Sequence, residues 1–179
     1  MQLTQSMMDF ILHWGEMGTK WGVNRSVAQI HALLHIVPEA MTADEICETL
    51  DLARSNVSTG LKELQSWKLV RASRRLGDRR DRFTSVRDMF DLVTAIIEGR
   101  REREFAPTLA ALTVVAKDAA GDGTPKAVRD RIDQTLGTMK MFDDWYLDVA
   151  RLPRSVQMAV IRLGGHVARL LPKTKSDDD

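Results

Sequence analysis

The chain has 179 residues, of which 44% are apolar and 28% charged, and its net charge is +1. These values fit one ordinary globular domain, or a small domain with helical extensions. The single cysteine, Cys47, excludes an intrachain disulfide framework and a multi-cysteine zinc site and suits a reducing cytoplasm; no apolar run approaches the ~18–20 residues of a membrane span, and no signal pattern opens the chain.

Leu3, Met7, Phe10, Ile11, Trp14, Met17, Gly18 and Trp21 recur at spacings of three and four, which predicts an amphipathic helix over about 3–20, stopped by Gly22. Asn24 is a predicted N-cap for a helix over 25–37 that carries Val27, Ile30, Leu33, Leu34 and Val37, with Pro38 closing it. Thr42 with Glu45 three residues on has the form of a capping box. It opens a short helix with Ile46, Cys47 and Leu50 inward. After a turn at Asp51–Ala53, a second helix runs from Arg54 to about Trp67 on the buried seam Val57, Leu61 and Leu64. Gly60 interrupts that helix at a cost of about 1 kcal/mol relative to alanine, and close approach of the preceding helix is the expected reason.

Leu69–Arg74 and Arg82–Val86 read as strands around the turn Gly77-Asp78-Arg79-Arg80. Helical periodicity then returns from Arg87 to about Ala120, with Arg100–Glu104 a solvated stretch of mixed charge and Pro107 a break or kink. Gly121-Asp122-Gly123 is a loop. Thr124 and Pro125 signal the start of a helix to about Val149, Pro153 follows it, and a last helix spans Ser155–Leu171. The reading is mainly α: a winged helix-turn-helix with a two-stranded β-wing, flanked by N- and C-terminal dimerisation helices. It divides the chain into N-terminal helices (1–37), a winged core (38–87), a C-terminal helical region for dimerisation or effector binding (88–172) and a flexible tail (173–179).

Charge is unevenly placed. Residues 1–53 carry −5, residues 54–87 carry +7, and residues 88–179 carry −1. The positive block coincides with the second helix of the helix-turn-helix and the hairpin, the footprint expected of a nucleic-acid face. Arg54, Ser55, Asn56, Ser58, Thr59 and Lys62 are the candidate groove-facing set, because arginine pairs with guanine and asparagine with adenine, while serine and threonine more often hold phosphates. Arg74, Arg75, Arg79, Arg80 and Arg82 crowd the hairpin and are candidates for backbone or minor-groove contact. The alternative is a winged-helix protein-interaction module that docks an acidic partner through the same hairpin.

The run Thr42-Ala-Asp-Glu-Ile, then Asn56-Val57-Ser58, Leu61-Lys62-Glu63-Leu64, Trp67, Leu69-Val70-Arg71 and Gly77-Asp78-Arg79-Arg80, resembles the GbsR branch of the MarR-type winged-helix transcriptional regulators. The upstream Trp21-Gly22-Val23-Asn24-Arg25-Ser26-Val27-Ala28-Gln29-Ile30 and the downstream Ile96-Ile97-Glu98 with Arg100–Glu104 extend the likeness over about residues 10–110. Two positions depart from it. Ala53 stands where such helices commonly begin with serine, and Lys68 where glycine often follows the tryptophan. The resemblance implies a homodimer that binds double-stranded DNA at a palindromic operator, often as a repressor. The sequence carries no Ser-His-Asp pattern, phosphate loop or dinucleotide fingerprint, so no catalytic activity and no cofactor are expected.

Members of that branch sense choline-like compounds, so the resemblance also implies a small effector. A quaternary ammonium needs aromatic faces, and Trp14, Trp21, Phe142, Trp145 and Tyr146 are the candidates, with Phe142, Trp145 and Tyr146 clustered on one helix. The favoured competing reading puts these rings in a dimer core. His31 and His35 share a helix face at i,i+4 spacing, but a partly exposed face is the favoured reading and no metal is expected. Asp143, Asp144 and Asp148 read as exposed helix acids, and Cys47 as a seam residue.

Overall fold

The computed structural model describes residues 2–170, with side chains through residue 165. The predicted tail over 173–179 lies outside the described residues. Two compact units divide at the Glu104–Phe105 bond, and each is described by itself.

In the first unit, α1 (Gln5–Lys20) is capped by the Thr4 side chain and ends where Gly22 takes φ +78°. α2 (Arg25–Ile36) opens on the Asn24 side chain, which accepts from the Ser26 N–H at 2.9 Å. It is buried almost all round: Ile30, Ala32, Leu33 and Leu34 are at most 1% exposed. α2 is therefore the post around which the unit is built, and α1, α3 (Ala43–Leu50) and α4 (Arg54–Ser66) pack on it. Apolar burial of this kind supplies most of the stability of such a core.

The Thr42 capping box is present in both directions. The Thr42 N–H donates to Glu45 Oε2 at 2.6 Å, and the Glu45 N–H donates to Thr42 Oγ1 at 3.2 Å. Thr42 has a second task that periodicity does not reveal. With Met41 it forms β1 (Met41–Thr42), an edge strand pairing antiparallel with β3 (Asp81–Ser85), which also pairs with β2 (Val70–Arg74). The sheet order is β1-β3-β2, so the wing is a three-stranded sheet at its root and not a free two-stranded hairpin.

Gly60 is buried against α2, not against the preceding helix α3 as its position suggested. A Cβ there would sit 2.8 Å from Ile30 Cδ1 and 3.6 Å from Val27 Cγ2. Asp51 and Lys68 close α3 and α4 in the left-handed region, at φ 52° and 59°. Lys68 thus adopts the conformation that a glycine would supply without strain.

α5 (Met89–Arg100) starts on the Asp88 side chain and buries Leu92. It runs directly into one turn of π-helix, Arg101–Phe105. The stretch Arg100–Glu104, expected to be merely solvated, is thus a special turn with engaged side chains.

The second unit holds α6 (Ala106–Ala119), with Pro107 in its first turn, α7 (Lys126–Ala150) and α8 (Arg154–Leu170). Proline is accommodated in the first helical turn, so Pro107 starts a helix where a break had been expected. α7 begins after Pro125 with no side-chain cap. Thr124 is not that cap; its N–H and hydroxyl both bond to Asp122 Oδ1. No helix among the described residues is long and apolar enough to cross a membrane.

Candidate nucleic-acid interface

α4 presents two chemically distinct faces. Val57, Gly60, Leu61 and Leu64 are buried, which turns Arg54, Ser55, Asn56, Thr59 and Lys62 outward into solvent, with Ser58 half-buried between the two sides. A helix with a 3.6-residue period leaves no other arrangement for this sequence. Ala53 makes no side-chain cap at the start of α4. Arg54, on the first turn, forms an ion pair with Asp44 on α3, which joins the two helices of the motif across their turn.

The wing stands beside this face. Between them lies an open cleft of about 420 Å³, lined by Ser58, Lys62 and Gln65 of α4 and by Arg79, Arg80 and Asp81 of the wing. Gly77 at φ +85° makes the sharp tip.

The five wing arginines are not equivalent. Arg80 is held as a fork on Asp78, through Nε–Oδ1 at 3.0 Å and Nη2–Oδ2 at 2.9 Å. Those bonds lower the Asp78 carboxyl to about 2. Arg74 Nε donates to Asp81 Oδ1 at 2.8 Å across the strand pair. Arg75 and Arg79 are exposed and form no ion pair among the described residues. Arg82 turns inward. Its Nη1 donates to the Ala40 carbonyl at 2.6 Å and its Nη2 lies 3.4 Å from Glu45 Oε1. Glu45, whose carboxyl is lowered mainly by the Thr42 N–H, thereby joins the capping box of α3 to the central strand of the wing.

The wing root is fixed to α2 by two histidines. His31 Nε2 lies 3.0 Å from Ser85 Oγ, and His35 Nδ1–H donates to the Val86 carbonyl at 3.1 Å. His31 is 4% exposed, where a partly exposed face had been expected, and burial with a neighbouring His35 pushes its pKa down to about 4. Trp14 stacks on His35 and lies tilted against His31, with centroids 6.3 and 6.0 Å away.

A second cavity of about 320 Å³ lies under the far end of α4. Trp14 and Trp21 both line it. So do Glu63, Trp67 and Arg100, which sequence reasoning did not select. Trp67 was legible as the end of a helix and as part of the family resemblance, and nothing in its spacing assigns it to a cavity wall. Trp21 is 59% exposed. Phe142, Trp145 and Tyr146 lie on α7 of the second unit, with Phe142 and Trp145 exposed and Tyr146 half-buried.

The pattern of the MarR family matches residues 21–81, which span α2, the helix-turn-helix and most of the wing. The HTH-type transcriptional repressor GbsR of Bacillus subtilis (strain 168) is 28% identical over 149 residues, covering 79% of this chain and 80% of GbsR. A crystal structure of a transcriptional regulator superposes with a TM-score of 0.66 at 19% identity, covering 80% of this chain and 94% of that one. That likeness establishes the shared winged-helix fold.

Proposed function

We propose that this chain is a winged-helix transcriptional regulator of the GbsR/MarR type and works as a homodimeric repressor of a palindromic operator, a reading supported by the MarR match over residues 21–81 and the 28% identity to GbsR. The observation that carries the reading is the cleft in which the polar face of α4 and the basic wing converge. Ser55, Asn56, Thr59 and Lys62 enter the major groove, and the unpaired Arg75 and Arg79 follow the flanking backbone or minor groove. Arg54, Arg74 and Arg80 bring cations already oriented by Asp44, Asp81 and Asp78. Arg82 supports the wing from inside.

The dimer rests on a physical argument. α7 and α8 leave Met141, Phe142, Trp145, Ile161 and Leu163 exposed, at 59 to 63%. Apolar helix faces of this kind mark an interaction surface, and a second copy on a two-fold axis covers them while setting two recognition helices about 34 Å apart.

The cavity lined by Trp14, Trp21 and Trp67 is the effector site in this reading. Indole faces with the Glu63 carboxylate suit a small organic cation. One experiment tests both parts. Selection from a random duplex pool with the purified protein is expected to enrich a palindrome, and choline chloride added to the selected duplex is expected to shift its affinity. Enrichment of no sequence would overturn the operator reading and favour a protein-docking module. An unchanged affinity would remove the organic cation.

A further inference from the structure

The last turn of α5 and the π-turn after it carry two arginines three residues apart, and each reaches the C-terminal end of a different helix. Arg100 Nη2 donates to the carbonyl of Trp21, the C-cap of α1, at 2.9 Å. Arg103 Nη2 donates to the carbonyl of Ser66, the last residue of α4, at 2.5 Å. Final-turn carbonyls lack intrahelical partners and sit at the negative end of the helix dipole, so a guanidinium there is favourable twice over. Arg103 also lies over the adjacent C-cap residue, its Cζ 4.1 Å from the centre of the Trp67 ring. Gly99, four residues earlier on the same stretch, leaves the indole its space, since a Cβ there would stand 2.7 Å from Trp67 Cε3. Trp67 therefore packs against two positions of a single stretch, one of them on a π-turn, a geometry found often at functional sites.

We propose that Arg103, acting through Trp67, is a positioning residue for DNA recognition: with Arg100 it forms a latch that fixes the attitude of the recognition helix. Its place is at the far end of α4 from the groove-facing residues, so it contributes no phosphate contact. The inference rests on the reading of α4 as the recognition helix. A helix held at one end by a cation–indole contact keeps its other end in register with base edges. A helix released there still meets phosphates but loses the bases.

The test uses the full-length protein and the variants Arg103→Met and Arg103→Lys. In the first arm, without DNA, amide hydrogen exchange over residues 63–69 is expected to quicken in Arg103→Met, with Arg103→Lys in between. Exchange unchanged in both variants would overturn the latch, whatever the protein binds. In the second arm, affinities for the selected duplex and for a random duplex are measured across a salt series. The ratio of the two is expected to fall by about three- to tenfold in Arg103→Met, the range set by loss of a partly exposed cation–π contact with its hydrogen bond. Random-duplex affinity and salt slope stay as in the parent. A fall in both affinities with a shallower slope would make Arg103 a phosphate contact and overturn the proposal. So would an unchanged ratio, or a parallel loss of both affinities together with thermal stability. A parent protein that prefers no sequence would overturn the operator reading instead, and the first arm would still decide the latch.

Discussion

His31 Nε2 on α2 and Ser85 Oγ at the end of β3 are 3.0 Å apart, and through this contact the most buried helix of the protein holds the root of its wing. Because His31 is buried, the folded state keeps its pKa near 4 against an ordinary 6.5. The unfolded chain therefore binds a proton that the folded one does not. Stability is fully present above pH 6.5 and falls as the pH drops toward 4, by about 3 kcal/mol in total. Urea unfolding at pH 7 and pH 4.5 measures this. In His31→Gln, which cannot titrate, the difference between the two pH values is expected to shrink by about 2 to 3 kcal/mol. An unchanged difference would show that His31 is not the group that titrates.

The wing arginines separate by partner. Arg79 has no ion pair among the described residues, whereas Arg82 is tied to Ala40 and Glu45. Arg79→Ala is expected to weaken binding to every duplex alike and reduce the slope of log K against log salt by about 0.9 if it neutralises one phosphate. Arg82→Ala is expected to lower affinity with the slope intact, because it loosens the joint between β3 and the α3 cap. It should also lose about 1 to 2 kcal/mol of stability, where Arg79→Ala loses none measurable. Equal salt slopes in the two variants would refute the division.

How much of this was open to the sequence depends on the range of the interaction. The caps of α2 and α3, the seam Val57-Leu61-Leu64 and the glycine tip of the wing are local patterns, and each lies where periodicity or capping chemistry puts it. The strand Met41–Thr42 was hidden because two residues carry no period, and its pairing with β3 spans some forty residues of chain. The contact of Gly60 with α2, the inward turn of Arg82 and the burial of His31 are likewise non-local. The π-turn at Arg101–Phe105 has no sequence signature among the rules of helix propensity. Composition located the basic face, but only geometry told a paired arginine from an unpaired one.

Gly60 weighs helix propensity against packing. Alanine in mid-helix is favoured over glycine by about 1 kcal/mol. The added Cβ, however, would stand 2.8 Å from Ile30 Cδ1, and Ile30 is fully buried. Overpacking a filled core costs about 1 to 3 kcal/mol, so the clash wins. Gly60→Ala is expected to destabilise by about 1 kcal/mol net. The double variant Gly60→Ala/Ile30→Val removes the offending methyl and should recover part of that loss, as read in a denaturant series with both singles. Additive losses would mean that the two side chains do not meet.

Lys68 offers the opposite case, a local strain with no tertiary compensation in sight. It is exposed and sits at φ 59° just past α4, where its N–H bonds to Gln65 and the next N–H, from Leu69, bonds to Leu64. The two bonds satisfy carbonyls at the end of α4, so the left-handed turn must be kept whatever residue occupies it. A residue with a Cβ pays about 1 kcal/mol or more for that conformation, and glycine does not, although glycine also gives the unfolded chain more freedom. The conformational term is the larger, so Lys68→Gly is expected to stabilise the protein by roughly 0.5 to 1 kcal/mol. Lys68→Ala, which keeps the Cβ and removes only the charge, should change stability by less than about 0.5 kcal/mol. Thermal melts of the two variants beside the parent check the pair, and a stabilised Lys68→Ala with an unmoved Lys68→Gly would place the cost in the charge and not in the backbone.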